Sequence, residues 1–435
     1  MDGNSTIPYK PSNDNTLPYR IFVIALLASG NFFNALDRSS LSVAVPFIIR
    51  DFHVNTETMG VALSAFFWSY VVFNMPAGYL ADRFGTKRVL GWSAFIWSIF
   101  SAATGLAQNV VVVLLTRIGV GLGEAASIPC GAKVASATFP DTERGTAVAI
   151  SLAGIRLGNA AMPLIMAFLI EMWGWRTAFI VTGLGSLTWC ILWYFGYKDV
   201  PTKGAKRAEV VEKVRVPWSA LVTNRTLIGL TVVKFIQDSL MWLFMSWVPS
   251  YLIMERHFSV ITMSFFVSLA YTVAAVSQPL VGILSDWLIR HGWSLSRSRK
   301  SIMVTLEIMA STVIITGYSD IMGLALFCLV MAMAAEAVCS SVMWTIIPDV
   351  VPSKLVGSVG GLMNSIGALG GIVAPIVTGV IVHVTGSFRL ALTIGGTGML
   401  LAAVIMLFVV PELKLLVALD SDKLAPSLRT VALHL

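Results

Sequence analysis

The stretch MPAGYLADRFGTKR, Met75–Arg88, occurs a second time in altered form as QPLVGILSDWLIR, Gln278–Arg290. In both copies a glycine precedes an aspartate by four residues, and the two aspartates, Asp82 and Asp286, are 204 residues apart. Each copy closes a long apolar segment and is followed by a basic residue. The chain is therefore predicted to contain a parallel internal repeat, with polar loops at matching places.

The composition indicates an integral membrane protein. Of the 435 residues 56% are hydrophobic and only 12% are charged, and the mean hydropathy is +0.81. A soluble domain would be roughly half apolar and about a quarter charged. Polar and Pro/Gly-rich stretches separate twelve apolar segments of roughly 17 to 27 residues, each long enough to cross a bilayer as a helix. The sequence predicts an all-α integral membrane protein with twelve transmembrane helices.

The net charge of +7 is explained by topology and needs no nucleic-acid partner. If the amino terminus is cytoplasmic, 21 of the 30 Lys and Arg residues fall in cytoplasmic loops and tails, 4 fall outside and 5 lie within spans. Such a bias sets membrane orientation. Both termini are therefore predicted to be cytoplasmic.

The polar stretch of residues 198–225 divides the chain into two halves. It is the longest polar stretch inside the chain. The predicted organisation is a cytoplasmic tail (1–20), a six-helix bundle (21–197), a cytoplasmic connector (198–225), a second six-helix bundle (226–410) and a cytoplasmic tail (411–435). Two six-helix repeats are typical of secondary transporters.

Neither a cofactor nor a metal is expected. The four cysteines lie in apolar segments without CxxC spacing, and the five histidines lie at helix ends, in loops or in tails. No span holds a nucleophile with its base, so the protein is not predicted to be an enzyme. The first twenty residues contain no signal peptide, and the first span is expected to remain as an uncleaved anchor.

Charged residues inside the spans indicate a functional site, because each costs a few kcal/mol at the bilayer centre. Asp37 and Arg38 are adjacent in the first span. Arg117 and Glu124 lie on one face of the fourth span, about 10.5 Å apart along the helix axis. They are too far apart to pair with each other. Each is expected to find a partner of opposite sign in the first span.

The later spans add one charge pair and one unpaired cation. Lys234 and Asp238 are one turn apart in the seventh span, which suits an ion pair. A structural or gating role for this pair is favoured over substrate contact. Arg156 in the fifth span has no carboxylate within one turn and is the most informative unpaired cation.

Three other charged residues are less specific. Glu336, in the tenth span, either joins the site or satisfies a neighbouring helix. Lys133 and Glu307 are interpreted as residues near cytoplasmic helix ends, where long side chains reach water.

The pattern GxxxDRxGxKR, formed by Gly78 to Arg88, resembles the signature loop of the major facilitator superfamily. The resemblance implies the major facilitator fold, with two bundles of six helices. In that family the aspartate of the loop caps a neighbouring helix end and pairs with arginine. Asp82, Arg83, Asp286 and Arg290 are therefore expected to be gating elements that do not contact the substrate.

Longer segments resemble the anion:cation symporter family, whose members carry hexuronates, galactonate and other organic anions. This family is related to sialin and the vesicular glutamate transporters. The matching segments extend from the first to the eleventh span: NALDRSSLSV, SAFFWSY, RIGVGLGEAASIP, WGWRTAFIVTG, KFIQDSLMWLFMSWVPSYL and VGSVGGLMNSIGALGGIVAP.

The resemblance assigns roles to the charges of the first and fourth spans. It implies that Arg38 binds the substrate carboxylate, and that Asp37 and Glu124 take up protons. Arg117 would couple these two carboxylates, releasing one as the other is protonated. Burial favours the neutral form of a carboxyl group whereas a nearby arginine favours the charged form, which provides a physical route to coupling.

The resemblance also assigns residues to the substrate pocket. Tyr70 corresponds to a substrate-contacting tyrosine, and Trp344 and Asn364 fall at positions that line the sugar-acid pocket. Such side chains combine an apolar wall with adaptable hydrogen bonds, while a guanidinium group grips a carboxylate bidentately.

Two departures from the family pattern bear on the substrate. Relatives commonly carry a tyrosine where this chain has Ala35, and an amide or small polar residue in the region of Ile155 and Arg156. The apolar exchanges remove hydroxyl-reading groups, and the added arginine could meet a second carboxylate. A dicarboxylate or an aromatic acid is therefore an alternative to a hexuronate or aldonate.

The resulting hypothesis is a monomeric, proton-coupled symporter of a bacterial inner membrane that imports an organic carboxylate, with a sugar acid as the favoured cargo. Sodium is an alternative coupling ion. Efflux of a lipophilic cation or drug is disfavoured by the arginine at the centre of the first span. A membrane sensor that binds an anion without moving it is the alternative from another class.

Overall fold

The computed structural model describes residues 16–199, 224–352 and 355–416, and these residues form helices joined by short loops. The predicted connector of residues 198–225 and both predicted tails lie largely outside the described residues. The helices of the first half are α1 (Leu17–Phe52), α2 (Thr56–Phe84), α3 (Thr86–Thr104), α4 (Val110–Thr138), α5 (141–173) and α6 (175–196). Those of the second half are α7 (Arg225–Met254), α8 (Val260–Arg290), α9 (Leu295–Tyr318), α10 (Met322–Val350), α11 (Val356–Thr385) and α12 (Arg389–Val409).

The described helices account for the twelve predicted membrane crossings. Nine continuous helices are long and apolar enough to span a membrane, and α2, which is bent by 49° before Pro76, makes a tenth. One of the nine extends over 54 residues, or about 80 Å, which is more than twice the hydrocarbon thickness. It is divided into α5 and α6 at Gly174, whose φ of 78° is not helical. The 19-residue α3, which begins beside Lys87 and Arg88, is the twelfth.

Polar caps and proline bends shape the helices. Asparagine side chains accept from main-chain N–H groups at the starts of α2 and α4, and serine side chains do so at the starts of α8 and α9. Proline lies inside most of the long helices, where packing against neighbouring helices tolerates the lost hydrogen bond. These local features set where each crossing begins and bends.

The internal repeat extends to the backbone of both halves. His53 ends α1 with a φ of 51°, and His257, 204 residues later, follows α7 with a φ of 59°. Gly174 and Gly386 both have positive φ, 78° and 71°, at the bends between the fifth and sixth helices of each half. These two glycines are 212 residues apart, because the α8–α9 region of the second half is eight residues longer.

A carboxylate at the end of the first helix holds the last bend in each half. Asp51 accepts hydrogen bonds from Trp175 Nε1 at 2.8 Å and from Arg176 Nη1 at 2.6 Å. Its repeat counterpart, Glu255, accepts from Ser387 Oγ at 3.0 Å and from the Phe388 main-chain N–H at 2.6 Å. The two bundles are thus built on one plan and stabilised at matching places.

The two halves are packed together at one end of the molecule. Thr56 Oγ1, at the start of α2, donates to the main-chain oxygen of Gly379 in α11 at 2.9 Å. A Cβ atom added at Gly379 would lie 2.5 Å from the Thr56 oxygen, and one added at Gly60 would lie 2.5 Å from the Pro375 oxygen. Glycine is required here because the two backbones touch. Phe67 and Trp242, with ring centroids 4.4 Å apart, extend this closed region towards the centre.

At the opposite end the halves separate around an open cavity. Arg156, Trp344 and Asn364 are exposed to it. This is the end that carries the α2–α3 and α8–α9 loops. It is the cytoplasmic end if the orientation predicted from the charge bias is correct.

Gly379→Leu should prevent the close α2–α11 contact and open the closed end. Overpacking of this kind costs about 1–3 kcal/mol, and every 1.4 kcal/mol is roughly a tenfold change in population. The reporter is Ser246→Cys, a buried α7 position on the closed side, in a background with the four native cysteines replaced by serine. Its labelling rate by a maleimide should rise roughly tenfold or more.

Gly323→Leu is the matched control for this substitution. A Cβ atom added at Gly323 meets nothing within 4 Å, so labelling of the reporter should stay at the wild-type rate. Equal labelling rates in the Gly379→Leu and Gly323→Leu variants would show that the glycine contact does not hold this end closed.

Candidate functional site: a charged central cavity

A cavity of about 500 Å³ lies between the two halves. All five residues predicted to bind substrate line it, and so do the charged residues of the seventh and tenth helices: Arg38, Tyr70, Arg156, Trp344, Asn364, Lys234, Asp238 and Glu336. Ala35 and Ile155, where the sequence departs from the family pattern, also line the cavity. The structure therefore brings together residues that are hundreds of positions apart in the chain. Its volume is in the range of small-molecule sites.

Arg38 connects the cavity to the carboxylate of α4. Its Nε and Nη2 atoms are both 2.9 Å from Glu124 Oε2, and Nη2 donates to Asn34 Oδ1 at 3.1 Å. The guanidinium group also lies 5.1 Å from the ring centroids of Phe66 and Tyr70. Glu124 is fully buried, and its second oxygen, Oε1, has no hydrogen-bond partner in the described part of the chain. This pair is the partnership expected for Glu124 with the first span.

Asp37 points away from Arg38 into a cage of hydroxyl groups. The carboxylate is fully buried and accepts hydrogen bonds from Ser101 Oγ, at 2.6 Å, and from Ser186 Oγ. Hydroxyl donors stabilise a buried carboxylate without neutralising it. Asp37 is therefore a buried acid with neutral partners, behind the wall of the cavity.

Arg117 lies beside Asp37 but is bonded differently from the simplest expectation. Its Nη1 donates to the main-chain oxygen of Asp37 at 3.2 Å, and its Nη2 donates to Thr104 Oγ1 at 3.0 Å. Both Asp37 and Glu124 are close enough to interact with it electrostatically. The three predicted coupling residues thus form one cluster, in which Arg117 contacts the backbone of Asp37 rather than its carboxylate.

Lys234 and Asp238 form the ion pair that their spacing predicts. Lys234 Nζ lies 2.5 and 2.7 Å from the two carboxylate oxygens, and both side chains are buried. The lysine also lies 5.9 Å from the Trp344 ring centroid. Helix α11 approaches the pair closely at Gly367, where an added Cβ atom would lie within bonding distance of Asp238 Oδ2. The pair occupies the wall of the cavity between α7 and α11.

Arg156 and Glu336 face each other across the cavity from different halves. They interact electrostatically, but among the described residues neither has a hydrogen bond or an ion pair within 4 Å. Arg156 is exposed to the cavity, whereas Glu336 is only 2% exposed and its Oε1 atom has no partner in the described chain. Of the two roles left open for Glu336, its position on the cavity wall favours the one at the site.

Three cavity residues were missed by sequence reasoning. Trp242 and Asn159 line the cavity, and Trp242 Nε1 and Asn159 Oδ1 have no hydrogen-bond partner in the described part of the chain. Tyr271 of α8 lines the cavity close to Glu336. Helical spacing could have identified the first two, because Asn159 follows Arg156 by three residues and Trp242 follows Asp238 by four.

The predicted gating residues lie outside the cavity, at the ends of α2 and α8. Asp82 Oδ1 pairs with Lys133 Nζ of α4 at 2.6 Å, and Lys133 also donates to the Ala81 oxygen at 2.7 Å. The partner of Asp82 in this state is thus a lysine and not the arginine that the resemblance implies. Arg83 packs against Phe84, with 5.3 Å between the guanidinium carbon and the ring centroid.

The second copy of the loop is bonded differently. Arg290 Nε donates to the main-chain oxygen of Asp286 at 3.3 Å, and not to its carboxylate. Neither copy contributes a residue to the cavity.

The position predicted for Glu307 near a helix end is wrong. Glu307 is fully buried in the middle of α9 and accepts a hydrogen bond from Gln237 Nε2 at 3.0 Å. A run of apolar residues after a basic loop does not reveal how far along a helix a charge lies, and the sequence therefore gave no warning of this burial.

Comparison with known proteins supports the same family. Residues 27–375 match the family model of the Major Facilitator Superfamily. The probable galactarate/D-glucarate transporter GudP of Escherichia coli (strain K12) is 31% identical over 91% of this chain and 94% of its own length. The hexuronate transporter of Bacillus subtilis (strain 168) is 29% identical over 89% of this chain and 94% of its own length.

A solved structure shares the fold. A bacterial homologue of the human lysosomal transporter Spinster, in an inward-facing and occupied conformation, superposes with a TM-score of 0.78. The two sequences are 18% identical over 94% of this chain and all of the other, so that likeness shows the fold alone. These matches, with the twelve crossings and the signature loop, confirm the predicted family: the chain belongs to the Major Facilitator Superfamily and is a multi-pass membrane transporter related to sugar-acid transporters of the anion:cation symporter family.

Proposed function

We propose that this protein is a proton-coupled symporter that imports an organic carboxylate, with a sugar acid such as a hexuronate or aldonate as the favoured cargo. The observation that carries the proposal is the Arg38–Glu124 pair at the wall of the central cavity. A guanidinium group is the side chain best suited to bind a carboxylate, and here a protein carboxylate already occupies it.

Competition between Glu124 and the cargo would provide the coupling. While Glu124 is charged, it holds Arg38, and an entering anion would leave one buried carboxylate without a partner. A proton on Glu124 removes its charge and frees Arg38 for the cargo. Binding of proton and anion thus favour each other, because a buried unpaired charge is strongly disfavoured.

Asp37 and Arg117 are proposed to carry a second proton step. Asp37 sits among hydroxyl donors next to Arg117, which interacts with both Asp37 and Glu124. Protonation of one carboxylate would strengthen the attraction of Arg117 for the other. This arrangement supports the coupling role implied by the family resemblance, acting through charge rather than through a direct Arg117–Asp37 side-chain bond.

The remaining cavity residues are suited to hold a polyhydroxylated body. Tyr70, Trp344 and Asn364 face the cavity together with the unpartnered polar atoms of Trp242 and Asn159. Aromatic faces pack against sugar rings or chains, and amide and indole groups bond hydroxyls.

Arg156 favours a second candidate cargo. It adds a cation without a close partner to the cavity, opposite Arg38 in the sense that each lies on a different helix of the first half. Ala35 and Ile155 make part of the wall apolar. A dicarboxylate would satisfy both arginines, and an aromatic acid would use the apolar wall.

Transport is proposed to proceed by alternating access, in which two bundles, residues 21–197 and 226–410, rock about the loaded cavity. The glycine contact between α2 and α11 closes one end in the present state. The pairs at the ends of α2 and α8 are proposed to act in gating the other end, with Asp82, Arg83, Asp286 and Arg290 exchanging partners as it closes.

Glu124→Gln should abolish accumulation driven by a pH gradient while preserving exchange of labelled cargo. Glutamine cannot take up the coupling proton, and it leaves Arg38 permanently free of its ion pair. The measurement is uptake of a labelled sugar acid into proteoliposomes, under an imposed pH gradient and in counterflow. Glu171→Gln, an exposed position outside the cavity, is the control.

Full gradient-driven accumulation by the Glu124→Gln variant would mean that this carboxylate does not couple protons. A sodium gradient imposed on the wild-type protein at equal pH distinguishes the two coupling ions. Accumulation driven by sodium alone would replace the proton in the proposal.

Substitution of the two cavity arginines should separate the contributions of the cargo's carboxylates. Arg38→Ala should weaken binding of all carboxylates by roughly tenfold to hundredfold, since bonds to charged groups contribute about 1.5–3 kcal/mol. Arg156→Ala should weaken only dicarboxylates. The measurement is a thermal-shift titration with hexuronates, aldonates, aromatic acids and dicarboxylates.

Arg38→Lys serves as a second variant, because it keeps a charge beside Glu124 but loses the planar fork. Arg389→Ala, exposed at the start of α12, should bind like the wild type. Unchanged affinity for every acid in both Arg38 variants would refute the assignment of Arg38 as the carboxylate-binding residue.

Removal of the Lys234–Asp238 pair should test whether it contacts the cargo. Lys234→Met or Asp238→Asn alone should destabilise the protein by about 3–5 kcal/mol, because each leaves a buried charge unpaired. The double variant should regain most of the lost stability in thermal unfolding, and should bind cargo nearly as tightly as the wild type. A stable double variant without cargo affinity would show that the pair belongs to the binding site.

A further inference from the structure

Glu336 is the repeat counterpart of Glu124. Both glutamates are followed by alanine, and the two positions are 212 residues apart, the same offset that relates Gly174 to Gly386. The register is therefore that of the second part of each half, which begins with α4 and α10.

A matching pair of hydrogen bonds shows that this correspondence is spatial as well as sequential. Asn74 Nδ2 of α2 donates to the Ala125 main-chain oxygen at 3.2 Å. Gln278 Nε2 of α8, 204 residues after Asn74, donates to the Ala337 main-chain oxygen at 3.0 Å. In each half an amide thus anchors the peptide that follows the glutamate, and the two carboxylates start from equivalent points on the backbone.

The two carboxylates share their burial but differ in their partners. Glu124 and Glu336 are 0% and 2% exposed, and within the described chain the Oε1 atom of each has no hydrogen-bond partner. Arg38 neutralises Glu124 from α1. The α7 position that corresponds to Arg38 is occupied by Trp242, which carries no charge. Glu336 therefore lacks the cation that its own half would supply.

The charged groups around Glu336 come from three other helices. Lys234 and Asp238 on α7 form their own close pair, Tyr271 lies on α8, and Arg156 lies on α5 of the other half. Cys339 is the titratable neighbour on the same helix. Because Lys234 is held by Asp238, Arg156 is the cation left to balance Glu336, and it does so across the cavity without a direct bond in this state.

We propose that Glu336 is a second proton-binding carboxyl group, which competes with a second carboxylate of the cargo for Arg156. The proposal rests on the proposed function, since it assigns to Arg156 and Glu336 the relation assigned there to Arg38 and Glu124. A proton from the aqueous cavity binds a carboxylate oxygen of Glu336 and removes its charge. Arg156 is then unbalanced and attracts an anionic group, and release of the cargo carboxylate lets the proton return to water.

The proposal names the class of cargo and the number of protons it requires. A dicarboxylate meets both arginines, and its second carboxylate is matched by a proton on Glu336. A monocarboxylate uses only the Arg38 side and leaves the Arg156–Glu336 balance unchanged. Because Arg156 and Glu336 belong to different halves, the charge of Glu336 also affects how closely the halves approach each other around the cargo.

The test compares proton and cargo fluxes in proteoliposomes for the wild-type protein and for Glu336→Gln. The probes are labelled galactarate, a six-carbon dicarboxylate, and labelled galactonate, the matching monocarboxylate. The variant should move one proton fewer per galactarate than the wild type, and its galactarate affinity should vary less steeply with pH. Its proton count per galactonate should be unchanged.

Glu307→Gln is the matched control, since Glu307 is also a buried carboxyl group of the second half with an unpartnered oxygen in the described chain. It does not line the cavity and has no acidic repeat counterpart. This variant should keep the wild-type proton counts for both acids. Arg156→Gln is the second test, and it should make the affinity for galactarate fall to that for galactonate at every pH.

The outcomes separate this inference from the function on which it rests. If the wild-type protein accumulates neither acid under a pH gradient, the proposed function fails. If it accumulates galactonate but does not bind galactarate, or if Glu336→Gln keeps the wild-type proton count and pH dependence, only the role of Glu336 fails. Should Glu336→Gln not fold, a pH-dependent preference for galactarate that survives in Arg156→Gln overturns the proposal.

Discussion

The exclusion of unpaired charge from a low-dielectric interior constrains the whole central region of this protein. Arg38 is balanced by Glu124 and Lys234 by Asp238, while Asp37 is held by two serine hydroxyls. Each arrangement is the least costly way to keep an ion among transmembrane helices. The same constraint makes the site responsive, because any ion that enters the cavity must be matched by a change in charge on the protein.

The two halves use one structural plan with different chemistry. The carboxylate that anchors the last bend, the amide that anchors the peptide after the glutamate, and the buried glutamate itself occur in both halves. What differs is the residue on the first helix of each half, an arginine in α1 and Trp242 in α7. The repeat thus supplies a symmetric scaffold, and its departures from symmetry place the anion-binding charge mainly on one side of the cavity.

Closure of one end depends on residues without side chains. Helix α11 approaches α2 at Gly379 and α7 at Gly367, and at both places an added Cβ atom would collide with the neighbouring helix. Without a hydrophobic driving force between helices in lipid, such close backbone contacts are a main source of association. Glycines on one helix therefore connect the closed end of the molecule with the ion pair in the cavity wall.

The sequence by itself determined the number of crossings, the internal repeat, the family and most of the residues that line the cavity. These follow from long-range periodicity and from the high cost of charge in a membrane, which leaves a clear trace at Arg38, Glu124, Lys234 and Asp238. It could not show that Arg117 binds the backbone of Asp37, that Asp82 pairs with Lys133, or that Glu307 is buried. Only the tertiary structure decided these partners, because they lie on helices whose rotation and depth are set by packing and not by local sequence. The same is true of Glu336, whose equivalence to Glu124 becomes evident once the hydrogen bonds from Asn74 and Gln278 place both at matching points of the fold.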